Sequence, residues 1–78
     1  LCDTSMTGVI IDRFGAGVAM RPYDDTHILA RAQVAVSPQF FGWLTGLSTH
    51  IRVISPDSVV NEYQIFLQEI LRSYTDMQ

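Results

Sequence analysis

Val34-Ala35-Val36-Ser37-Pro38-Gln39-Phe40-Phe41-Gly42-Trp43-Leu44 is the stretch whose reading decides the architecture. An alternating apolar run meets Ser-Pro and becomes, without a spacer, a segment apolar on almost every side. Serine is a strong N-cap. Proline at the first helical position costs nothing, because its missing N–H would be unpaired there anyway. The same junction recurs at Ile51-Arg52-Val53-Ile54-Ser55-Pro56. Two strand-to-helix junctions of this kind set an α+β frame.

Working outward, residues 56–74 read as a long amphipathic helix. Val60, Tyr63, Leu67, Ile70 and Tyr74 fall on one stripe, with Phe66 and Leu71 beside it. Residues 38–47 read as a shorter helix in which Gly42 and Gly46 permit close approach by a neighbour. A third helix fits residues 5–14, capped by Asp3, Thr4 or Ser5 and stopped by Gly15. Strand signals fill the gaps. Over residues 27–36, Ile28, Ala30, Ala32, Val34 and Val36 face one way, and Leu29, Arg31, Gln33 and Ala35 the other.

Val18 and Met20 alternate with Ala19 and Arg21 in a strand before it, and the Pro22-Tyr23-Asp24-Asp25-Thr26 segment carries turn chemistry. Ile51 and Val53 face inward from a short strand, Arg52 and Ile54 outward. The expected order is β-α-β-β-α-β with an added C-terminal helix, the ferredoxin-like split arrangement. Leu1-Cys2-Asp3 reads as the end of a truncated central first strand. A stub there leaves neighbouring strands unpaired, and unpaired edges recruit other chains. The expectation is a gap closed by a partner, or a splayed sheet.

Seventy-eight residues make one domain, and 47% hydrophobic residues exclude a disordered chain. That apolar surplus suggests that part of the surface meets another surface. No apolar run approaches the roughly 18 residues of a membrane span, and no signal peptide is evident at Leu1-Cys2-Asp3. A lone cysteine, Cys2, forms no internal disulfide, which fits a reducing compartment, so the cytoplasm is expected. Without an initial Met, the chain reads as a fragment of a longer protein. The net charge of −3 argues against general affinity for nucleic acid. All five cations are arginines, the residue suited to forked contacts with carboxylate or phosphate.

The run Asp12-Arg13-Phe14-Gly15, the segment from Val34 to Leu44, and Val53-Ile54-Ser55-Pro56 before an amphipathic helix together have a further meaning. They resemble the C-terminal extension, or WCX domain, of WYL-domain transcriptional regulators. Ser37-Pro38-Gln39-Phe40-Phe41-Gly42-Trp43-Leu44 is the most specific part. The resemblance spans nearly the whole chain. It implies a ferredoxin-like fold and a bacterial regulator in which a helix-turn-helix and a WYL domain precede this module. It also implies a homo-oligomer and help in sensing an effector, in some members single-stranded DNA. The helix-turn-helix and the WYL tripeptide are absent here, so no operator binding and no ligand residue carries over.

Independently of family, strand parity puts Arg21, Arg31 and Arg52 on the sheet face away from the helices. Such a face suits a nucleic-acid backbone or another anionic effector; the plain alternative is a solvated polar face. Leu29 and Ile54 share it and make a candidate protein interface, as do Phe41 and Trp43 on the shorter helix, which serve equally as core. That face offers no aromatic platform for RNA bases among Leu29, Arg31, Gln33 and Ala35.

Catalytic signals are weak. His27 and His50 lack metal-ligand spacing, Asp24-Asp25 is explained by a turn, and Cys2 has no activating histidine nearby in sequence. The expectation is a non-catalytic module without cofactor or metal. A free-standing small-molecule sensor and, by fold analogy alone, an acylphosphatase-like hydrolase are the alternatives.

Overall fold

The computed structural model describes residues 1–76. In chain order it contains β1 (Cys2–Asp3), a 3₁₀ turn (Thr4–Met6), α1 (Thr7–Phe14), β2 (Ala19–Pro22) and β3 (His27–Arg31). Then come α2 (Pro38–Gly46), a second 3₁₀ turn (Ser48–His50) and α3 (Asp57–Thr75). The three strands form an antiparallel sheet with β3 in the middle, so the class is α+β. On the free side of β1, Ile51 adds a single antiparallel bridge to Cys2. Beside it, Leu1 N donates to Arg52 O at 2.9 Å and Arg52 N to Leu1 O at 2.7 Å.

Local chemistry explains the boundaries. The β2–β3 hairpin closes through Tyr23 N and Asp24 N, which both donate to His27 O, while Asp24 Oδ1 accepts from Thr26 N at 2.9 Å. Gly15 ends α1 at φ 93°, a conformation that a side chain would strain, and its N–H donates to Ile11 O. Ser37 Oγ accepts from Phe40 N at 3.2 Å and caps α2, with Pro38 in its first turn.

The core lies between sheet and helices and is centred on α2. Phe40, Phe41 and Leu44 are buried there, with Ile10 from α1 and Cys2 from β1 completing the inner layer. The Phe41 ring sits 5.2 Å from Tyr63 and 5.3 Å from Phe66, both on α3. Only the first half of α3 is held this way, through Val59, Tyr63 and Phe66. Past Phe66 every described residue is exposed, so the stripe runs out into solvent as Leu67, Ile70, Leu71 and Tyr74.

Several expectations need correction. The strand expected over residues 27–36 stops at Arg31, whose partner Ala19 is where β2 begins. Beyond it β3 has no neighbour on either edge, and an extended run without a ladder does not persist as a strand. The strand expected from Ile51 to Ile54 is reduced to its one bridge for the same reason. The long helix begins at Asp57, with Pro56 and not Ser55 in the capping position and no side-chain cap bond; Pro56 O accepts from Val59 N and Val60 N. The first helix begins at Thr7, behind the 3₁₀ turn that takes up Ser5. A Cβ at Gly42 or Gly46 would meet nothing within 4 Å, so neither glycine serves a close approach. No described helix is long and apolar enough to cross a membrane.

Candidate functional site: the outer face of the sheet

Side chains alternate across a sheet, so the buried Cys2 assigns one face to the helices and its neighbours to the other. Arg21 pairs with Leu29 across β2 and β3. Extending the Cys2–Ile28 register by one residue sets Leu1 opposite Leu29, and Leu1 bonds Arg52 on its other side. One row therefore runs Arg52, Leu1, Leu29, Arg21 across the outer face. Arg31 stands two residues along from Leu29 in β3, opposite Ala19. This register sets Arg21, Arg31 and Arg52 on one face. At strand spacings of about 4.8 Å, Arg21 and Arg52 are roughly 14 Å apart across the sheet, so they line a surface without converging on one point. All three are exposed. Among the described residues no arginine makes an ion pair, since every charged contact there involves a histidine.

The four candidate interface residues separate. Leu29 lies half-buried at the centre of this face and Ile54 is 47% exposed at its rim. Phe41 is buried in the core. Trp43 is half-buried, edge-on to Phe14 at 5.5 Å and stacked on Phe40 at 6.0 Å, with the Arg13 guanidinium 5.2 Å from its ring. Those two belong to the helical layer, and the fold does not bring them to the arginine face.

Next to the arginine row lies a second one, of carboxylates and imidazoles. His50 Nδ1 is 2.7 Å from Asp3 Oδ2, His27 Nε2 is 3.4 Å from Asp3 Oδ1, and His27 Nδ1 is 2.9 Å from Asp24 Oδ1. Spacing along the chain hides this group, because His27 and His50 meet only through Asp3 of β1. Parity in the β1–β3 pair was the signal that could have found it. Among the described residues no group of three or more His, Cys, Asp or Glu is arranged to hold a metal ion. The row ties the hairpin, β1 and the second 3₁₀ turn together at one end of the face.

Asp24 is held below its ordinary value, first by the Thr26 backbone N–H and then by His27. An anion favoured in the folded state contributes stability above the ordinary aspartate range, lost as pH falls through it. In urea melts between about pH 5 and 2.5, Asp24→Asn is expected to flatten the acid loss of stability. Equal slopes would remove the carboxylate from the account. Burial pushes the Cys2 thiol up, so it stays protonated at neutral pH and is a poor nucleophile.

The face carries an open hollow of about 600 Å³ that runs from Ala19 and Arg21 of β2 across Leu29 and Arg31 of β3 to Ile54 and Pro56. Beneath it an apolar pocket of about 160 Å³ reaches Phe40, Trp43 and Leu44, and the two spaces share Ala30, Ala32, Ile54, Ser55 and Pro56. Among the described residues this face combines arginines without ion pairs, an apolar centre and an open hollow.

A family model, the WCX domain, matches residues 3–71. No curated protein and no solved structure matches the chain.

Proposed function

The chain belongs to the WCX domain family, and from that premise we propose a non-catalytic regulatory module of a bacterial, cytoplasmic WYL-type transcriptional regulator. It sits beside the WYL domain and contributes its arginine face to sensing an anionic effector, of which single-stranded nucleic acid is the leading candidate. The observation that carries this reading is the set Arg21, Arg31 and Arg52, exposed on one sheet face without acidic partners among the described residues. In a chain of net charge −3, local arginines left unneutralised mark a place where an anion gains more than the overall field opposes. Fluorescence anisotropy with a single-stranded DNA 12-mer at low salt is the direct test. Saturable binding that weakens as salt rises supports the effector site, and no binding at millimolar protein removes it.

The proposed fold is the ferredoxin-like order with the 51–54 segment as the fourth strand. The antiparallel Cys2–Ile51 bridge beside β1, with β3 and β2 beyond, supports that order.

Assembly is the second part of the proposal. The exposed side chains Leu67, Ile70, Leu71 and Tyr74, at three- and four-residue spacing, supply α3 with an apolar surface of the kind that pairs with another helix. Sedimentation velocity is expected to show dimer forming in the micromolar range; a monomer at every concentration would withdraw the assembly role.

A further inference from the structure

The hairpin carries the outer face past the end of β2. Tyr23 N donates to His27 O at 3.0 Å, which continues the β2–β3 ladder by one pair. Alternation therefore returns Tyr23 to the side of Arg21, two residues back, while Pro22 between them takes the other side. His27 stands opposite Tyr23, and Asp3 opposite His27, on the same face. Two parallel rows result. One runs Arg52, Leu1, Leu29, Arg21; the other runs His50, Asp3, His27, Tyr23 and ends on an aromatic ring. At about 3.4 Å per residue the rows lie roughly 7 Å apart, comparable to the reach from a phosphate to the base of its own nucleotide.

The Tyr23 ring is 59% exposed and pairs with no other aromatic ring among the described residues. Its backbone is nevertheless fixed. Asp24 N also donates to His27 O, Asp24 Oδ1 accepts from Thr26 N, and the His27 ring is held between Asp24 and Asp3. A tyrosine has few side-chain torsions to order, so on a closed hairpin it offers a flat surface at low entropic cost. Charge then sorts a ligand between the rows. The arginines attract phosphate. The carboxylates of Asp3 and Asp24, with Asp25 at the hairpin tip, repel it and leave the second row to an uncharged part of the ligand.

We propose that Tyr23 is a base-stacking residue: single-stranded nucleic acid crosses the sheet with its phosphates along the arginine row and a base on the Tyr23 ring. The proposal rests on the anion-binding reading above and gives that site its preference for unpaired bases, whose faces are free to stack on an aromatic side chain. Inorganic phosphate, or a polyanion without rings, would use the first row alone.

The test compares two 12-mers of equal charge by fluorescence anisotropy at low salt, one of deoxycytidine and one abasic. The chain is expected to bind the first at least fivefold more tightly, the low end of what stacking one base contributes. Tyr23→Ala should erase that preference with the salt slope of binding unchanged, and Tyr23→Phe, which keeps the ring, should retain it. The side chain is exposed, so neither substitution disturbs the core. Equal affinity of the unaltered chain for the two oligomers, or a preference that survives Tyr23→Ala, would overturn the stacking role and leave the arginine reading standing. Failure of both oligomers to bind would overturn the arginine reading and the stacking role with it.

Discussion

Phe41→Ala is expected to cost the fold about 3–5 kcal/mol, the usual range for emptying a well-packed phenylalanine site. A 78-residue chain has roughly 4–12 kcal/mol of stability in total at typical values per residue, so the variant should lose about a quarter of it or more, and nearly all of it at the lower end of that range. The ring is 6% exposed and lies against Phe40, Tyr63 and Phe66. Removing it loosens the half-buried first part of α3 from α2, where Thr45 Oγ1 and Tyr63 OH, 3.1 Å apart, are left as a polar tie. Leu71→Ala is the matched control, since its side chain is 65% exposed and its loss should fall within about 0.5 kcal/mol. Urea unfolding followed by circular dichroism measures both. Similar losses for the two would mean that α2 is not the hub of the core.

The second large effect concerns the outer face. Changing Arg21, Arg31 and Arg52 together to Ala should abolish most of the affinity for a single-stranded 12-mer and flatten its salt dependence. Three phosphate contacts at about 0.7 each give a slope of roughly −2 in log affinity against log salt, which should fall to near zero. The arginines are exposed and make no ion pair among the described residues, so the triple variant should stay folded. Affinity lost with the slope intact would mean that the phosphates are held elsewhere.

Much of this was legible in the sequence because it depended on residues close together in the chain. Ser37-Pro38 announced the start of α2, Gly15 the end of α1, and Asp24 to Thr26 the hairpin, each through a bond made within four residues. Period-two alternation likewise put Arg21, Arg31 and Arg52 on one face. What escaped depends on partners distant in sequence. Residues 32–36 have a strand's composition but lack a neighbour on either edge. Phe41 and Trp43 lie on one helix whose surroundings decide which is core, and only the packing of α3 buries Phe41. Asp3 binds both His27 and His50, which is visible only once β1 lies beside β3 and the second 3₁₀ turn. The apolar stripe of α3 was legible as a stripe, but its division into a covered and an uncovered half depends on where α2 ends.

The most direct test of the central claim is a backbone-amide NMR titration of the chain with a single-stranded DNA 12-mer at low salt. Shifts are expected to concentrate at Arg21, Leu29, Arg31 and Arg52 on the outer face and to fade as salt is raised. Shifts confined to α3, or none at all, would contradict it.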